Sequence, residues 1–158
     1  MKMLKIITVD DNEKFLRQIS KSVNIEDINT DKFQEFLDDL IYTAENAKLA
    51  PGWITAGLAA IQVGEPINVF ILKDVDDDGY KVYINPEYEL IGDACAKGLE
   101  GCLSIPGQTG KVIRPKKIKI KYLDRFGKKH KEKLTGWDAR IFLHEYDHLI
   151  GVLFTDLI

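Results

Sequence analysis

Two of the three histidines stand in His144-Glu145-Tyr146-Asp147-His148. On a helix, a four-residue spacing puts both imidazoles on one face about one turn apart, so their ring nitrogens can reach a single metal ion. Glu145 directly follows the first histidine and can approach a water beside such an ion without coordinating the ion itself. A carboxylate in that place suits a general base, because it can take the water's proton and later return it to a leaving amine. Asp147 is expected to support the site or to face solvent. A catalytic metal site needs a third protein ligand and an open position. The candidates are Cys102, Cys95, His130 and the acids Asp124, Asp138 and Asp156. Only ten residues follow His148, and none is His or Glu, so Asp156 alone remains on that side. Cys102 lies in Leu99-Glu100-Gly101-Cys102-Leu103-Ser104, beside a glycine that permits close backbone approach and among residues suited to an extended segment. It completes a Cys-His-His set with one open position. Cys95, in the looser stretch 92–97, reads as an ordinary thiol. A third segment, Gly57-Leu58-Ala59-Ala60-Ile61-Gln62-Val63-Gly64, is rich in small residues, and the Gln62 side chain can present its NH2 to an oxyanion.

These residues need elements to hold them. Phe33, Phe36, Leu37, Leu40, Ile41, Ala44 and Ala47 recur at intervals of three and four, which predicts an amphipathic helix that ends before Pro51-Gly52 and packs on a sheet. Residues 67–73 and 80–85 are β-rich runs separated by Asp76-Asp77-Asp78-Gly79, a hairpin signal, and 87–91 is expected to add a strand. Residues 118–123 and 128–134 form another pair, joined by Asp124-Arg125-Phe126-Gly127. The second helix is expected over 137–150 with Gly151 as its stop, and a last short strand over 152–154. Helices mixed with antiparallel strands, without repeats or linkers, indicate one α+β domain spanning residues 1–158.

The chain has 158 residues, 45% of them hydrophobic and 30% charged, with 12 Gly and 5 Pro. That composition supports one ordinary core and excludes a multidomain assembly. No apolar run approaches the roughly 20 residues of a spanning helix. The N-terminus reaches Asp10 and Asp11 before any signal-peptide core could form, so a cytoplasmic protein is expected, with reduced Cys95 and Cys102. A formal net charge of -3 gives no global attraction to phosphate polymers, and neither DNA nor a membrane is expected as a partner. Charge is uneven, however: 11 of the 22 Lys and Arg lie between Lys111 and Lys133. There Ile118, Ile120 and Tyr122 alternate with Lys117, Lys119 and Lys121, as in a strand with one solvated face. Such a basic face could also dock on an RNA-rich partner.

Taken together, Gly57-Leu58-Ala59-Ala60-x-Gln62, Glu100-Gly101-Cys102-Leu103-Ser104 and His144-Glu145-x-x-His148 resemble, in order and spacing, the three signature motifs of peptide deformylase. The resemblance runs from Phe15-Leu16-Arg17 to Gly151-Val152-Leu153-Phe154-x-Asp156. It implies antiparallel sheets packed around a central metal-binding helix, and hydrolysis of the formyl group from nascent formyl-methionyl chains with release of formate. Carried over by position, Cys102, His144 and His148 would bind one divalent metal and Glu145 would move the proton. The Gln62 side chain and the Leu103 N–H would stabilise the oxyanion, and the peptide would lie extended near Gly57 and Gly101. Members of the family use Fe(II), and Ni, Co or Zn can replace it.

Departures from the family pattern are Thr55 for the first glycine of the first motif, Ile61 before the Gln, Leu143 before the histidine pair, and Thr109 where many members have Arg. Trp137, Arg140 and Ile141 fall in range of the pocket for the first substrate side chain. Arg140 there is expected either to reach solvent along substrate or to favour polar first residues. Many bacterial members carry a C-terminal ribosome-docking helix; with Ile158 so soon after the histidine helix, ribosome association is expected to be weak or to use the basic face. A general metallopeptidase is disfavoured by the near-empty tail. A protein that binds metal or formyl peptide with altered specificity or without turnover is the non-enzymatic alternative.

Overall fold

The computed structural model describes residues 1–158. Three α-helices, α1 (Val9–Leu16), α2 (Asp31–Asn46) and α3 (Gly136–Leu149), accompany seven strands. Strands β1 (Gly57–Ala59), β2 (Val69–Lys73), β3 (Tyr80–Leu90), β6 (Lys117–Leu123) and β7 (Lys129–Thr135) form an antiparallel sheet in the order β1-β2-β3-β6-β7. Strands β4 (Cys95–Cys102) and β5 (Ile105–Pro115) form a separate antiparallel hairpin.

The larger sheet is covered on both faces, which explains why β2 reads as an unbroken apolar run. Phe70 and Leu72 point to α3, where they join Ile118, Ile120, Tyr122, Phe142 and Leu143. Val69 and Ile71, one step out of phase, point the other way and meet Leu37, Leu40 and Ala44 of α2. The helical spacing read from 33–47 thus belongs to a helix packed on a sheet. Thr30 caps α2 by accepting a hydrogen bond from the Phe33 N–H. A third small cluster, Ile105, Val112, Leu153 and Phe154, lies beneath the hairpin and touches Cys102.

The end of α3 shows why Gly151 follows it. The Val152 and Gly151 N–H groups donate to the Asp147 and His148 carbonyls at 2.9 and 3.3 Å, the paired bonds of a Schellman stop. Gly151 has φ +76°, and a Cβ there would lie 2.2 Å from the Arg17 carbonyl oxygen. Arg17 in turn pairs with Asp156 and donates to the Gly151 carbonyl. The glycine therefore answers both a left-handed turn and a close packing of chain start on chain end.

Some boundaries differ from the sequence expectation. The runs 80–85 and 87–91 are one strand, β3, whose register against β6 shifts between Ile84 and Glu87, with Asn85 at φ +50°. Its side chain explains the bulge: Asn85 accepts from the Val23 N–H and donates to the Val23 carbonyl, both at 2.9 Å. The strand expected over 152–154 is absent; a 3-10 turn at Phe154–Asp156 stands there, with the Asp156 carboxylate accepting from the Leu153 N–H at 3.0 Å. Cys95 begins β4 instead of lying in a looser stretch. No helix is long and apolar enough to cross a membrane.

Candidate metal centre

Helix α3 carries His144 and His148 one turn apart, with ring centroids 5.4 Å from each other. The last residue of β4 is Cys102, immediately before the Leu103-Ser104 turn into β5. One donor atom each from Cys102, His144 and His148 lies within 4.8 Å of the other two, and Cys102 Sγ is 3.5 Å from His148 Nε2. Metal–sulfur and metal–nitrogen bonds of about 2.3 and 2.1 Å at tetrahedral angles predict an S···N edge of about 3.6 Å. The donor set and the Cys102–His148 edge thus fit a four-coordinate ion with one position left for solvent or substrate.

Glu100 organises this set. Its Oε1 accepts from His144 Nδ1 at 2.8 Å and from Arg114 Nη2 at 2.8 Å, and its Oε2 from Arg114 Nε at 2.9 Å and Arg140 Nη1 at 2.7 Å. A carboxylate on Nδ1 fixes the tautomer and turns Nε2 of His144 away from itself. Burial opposes ionisation of Glu100, but the bonds from Arg114 and His144 outweigh it and hold its pKa at about 2. Arg114 also donates to Asp147 at 2.6 Å. Burial works to lower the pKa of His144, yet bonding to Cys102 and Glu100 lifts it to about 10. Burial, then the neighbouring His144, holds His148 neutral with its lone pair available.

Glu145 is 4% exposed and its Oε2 is buried without a hydrogen-bond partner. Desolvation raises its pKa to about 7, which suits a proton acceptor working near neutrality. A Cβ on Gly57 would fall 2.8 Å from Glu145 Cγ and 2.9 Å from its Oε1, so β1 needs glycine there for the carboxylate to fit. Gln62 lies in a 3-10 turn (Ala60–Val63) after β1. Its Oε1 accepts from the Ala59 N–H at 2.9 Å, which directs the NH2 toward Ser104 Oγ at 3.0 Å and Cys102 Sγ at 3.5 Å. Gly57, Gln62, Gly101, Cys102, Leu103, His144 and Glu145 all line one open cavity of about 600 Å³.

The remaining candidate ligands are engaged elsewhere. His130 bonds to Asp124 at 2.8 Å, Asp156 pairs with Arg17, and Cys95 and Asp138 are exposed. Arg140 lines the cavity with Trp137 and Ile141 as expected, but the alternative in which it reaches solvent fails: it is 8% exposed, and its guanidinium is bound to Glu100 and to backbone carbonyls. Thr109 stands on β5 opposite Gly101 and makes no bond to Glu100, which Arg114 and Arg140 hold. Sequence reasoning missed Arg114 as part of the site and counted it with the basic stretch. The available signal was its parity with Val112 on β5, which places a guanidinium on the strand's buried side.

The family model described as Polypeptide deformylase matches residues 3–158. A peptide deformylase of Rickettsia akari is 41% identical over 164 residues, covering 99% of this chain and 87% of that protein. The crystal structure of peptide deformylase from Thermotoga maritima is 34% identical with a TM-score of 0.86, covering 100% of this chain and 99% of the other. That of the Ehrlichia chaffeensis peptide deformylase in complex with actinonin is 32% identical with a TM-score of 0.86, covering 100% and 90%.

Proposed function

The chain belongs to the polypeptide deformylase family, and from that premise we propose how its own residues carry the reaction. It is a metal-dependent hydrolase that removes the N-terminal formyl group from peptides and releases formate. Cys102, His144 and His148 hold the divalent ion, with Fe(II) the cellular metal and Ni, Co or Zn able to replace it. When bound, the ion supplies Lewis-acid polarisation and acidifies water. Glu145 takes a proton from the attacking water on its carboxylate, which no protein group engages. The Gln62 NH2 and the Leu103 N–H donate to the oxygen of the formyl carbon as negative charge gathers there. As the C–N bond breaks, Glu145 returns its proton to the leaving amine, so water adds across the amide and formate and a free N-terminus result. Gly57 and Gly101 leave the cavity wall low enough for an extended peptide backbone.

The observation that carries this reading is the convergence of a thiol, two imidazoles, an unpartnered carboxylate and an oriented amide on one cavity. The test is formate release from a short formyl-Met peptide by anaerobically purified, Fe(II)-loaded protein, with a Ni(II) control and Glu145→Ala alongside. Release by the wild type and its loss in the variant are expected. Wild-type turnover by a metal-loaded Glu145→Ala protein would overturn the assigned base.

Nascent chains are the proposed substrates in the cell, in the compartment where translation occurs. Exposed lysines at 117, 119, 121, 129, 131 and 133 share one face of β6 and β7, and this face is the proposed ribosome contact. Salt-sensitive co-sedimentation with ribosomes is expected, and binding indifferent to salt would refute it.

A further inference from the structure

Arg140 is committed to more partners than any other side chain around the site. From α3, one turn before His144, its Nη1 donates to Glu100 Oε2 at 2.7 Å and to the Val112 carbonyl at 2.9 Å, with the Gly98 carbonyl at 3.5 Å. Its Nη2 donates to the Ala96 carbonyl at 2.8 Å. These acceptors belong to both strands of the β4–β5 hairpin, which shares no ladder with the five-stranded sheet. The hairpin brings Cys102; α3 brings both histidines. A Cβ on Gly98 would stand 2.8 Å from Arg140 Cζ, so the strand is built with a glycine where the guanidinium lies flat against it.

We propose that Arg140 is a positioning residue: by clamping the β4–β5 hairpin to α3, it sets the distance of Cys102 from the two histidines and so the affinity and ligand field of the metal site. This rests on the metal site described above. The guanidinium fork is needed for its shape as well as its charge, because two donors in one plane must serve Glu100 and carbonyls of two strands together. With Arg140 on Oε2, Glu100 is also held so that Oε1 faces His144. Outer partners of this kind are typically worth 10–100-fold in metal affinity.

The test uses Co(II) as the probe, titrated into metal-free full-length protein and followed by its thiolate charge-transfer and ligand-field absorption. Arg140→Met and Arg140→Lys are compared with wild type, each checked for folding by near-ultraviolet circular dichroism. Both are expected to bind Co(II) at least about tenfold more weakly, with shifted bands and faster release to a chelator. Phe142→Leu, which loosens the opposite face of α3, serves as the purely structural control and is expected to keep the wild-type bands when folded. Gly98→Ala is expected to weaken binding alone and to add nothing to Arg140→Met, since the clash needs the guanidinium. If Arg140→Met does not fold, Arg140→Lys and Gly98→Ala decide. Wild-type affinity and bands in the folded Arg140 variants would overturn the proposal while leaving the metal site intact. A wild-type protein that gives no thiolate–Co(II) band would overturn the metal site and this role with it.

Discussion

Helix α3 is held on two sides by opposite chemistry. Toward the five-stranded sheet it presents Ala139, Phe142 and Leu143, with Phe142 edge-on to Phe70 and Tyr83 at 5.2 and 5.9 Å. Toward the β4–β5 hairpin it presents Arg140, His144 and Asp147, met by Glu100 and Arg114. Apolar contact is strong and non-directional, so the first side supplies stability and tolerates small shifts. A buried ion network returns little net stability over an apolar equivalent, but each of its bonds specifies a direction. The proposed metal ligands lie on the second side, where geometry must be held; the first side makes the helix stay.

Glu145→Gln removes the proposed base and keeps the fold. Turnover of the metal-loaded enzyme is expected to fall by about 10²–10⁴-fold, with metal content unchanged by atomic absorption. In the wild type, kcat/KM is expected to rise with pH through an acid limb at or below about 7. Glu145 must be ionised to act, and a cation beside it only favours that form.

Next in size is a matched pair. Phe142→Ala on the apolar side is expected to cost about 3–5 kcal/mol in urea denaturation. Arg114→Met on the ionic side is expected to cost a similar 3–5 kcal/mol, because Glu100 and Asp147 lose a buried partner. Only the second should change metal affinity in the folded fraction; equal losses of affinity would erase the distinction between the two sides.

The pH dependence of the metal-free protein separates two carboxylates within the ionic side. Glu100, held at about 2, contributes about 3 kcal/mol that is present above pH 4.5 and lost as pH falls toward 2. Glu145, raised to about 7, has the opposite sign: its contribution is complete below pH 4.5 and is lost as pH rises to 7. Glu100→Gln should therefore destabilise most at neutral pH. Glu145→Gln should leave stability near wild type at pH 4 and raise it by up to about 3 kcal/mol at pH 8, measured by urea unfolding.

The smallest effect lies far from the site. Lys119 and Lys121 of β6 stand directly across from Lys133 and Lys131 of β7. Lys133→Glu should add about 0.2–1 kcal/mol by removing a like-charge pair, with no change in turnover. A measurable loss of activity would show that this face communicates with the metal centre.

How much of this could be read from sequence depends on the range of the interaction. The i, i+4 histidines, the apolar stripe of α2 and the alternation of β6 are set by local periodicity, and each appears where the spacing places it. The strand expected at 152–154 failed because a side chain, Asp156, captured the backbone that a ladder would have used. Glu100 was visible only as part of a motif, and nothing near it in the chain indicates what it holds.

Legible before folding are the atoms able to bind an ion, the helix that carries two of them, and the one wet face of β6. Those facts follow from residue type and from the fixed periods of helix and strand. Packing of distant segments brings Cys102 to 3.5 Å from a histidine 46 positions away, and lets Glu100 gather Arg114, Arg140 and His144 from 14, 40 and 44 positions away. Local pattern reports that a side chain is buried; which partner meets it is settled only when the packed core brings the hairpin onto the helix and leaves each buried charge its compensating neighbour.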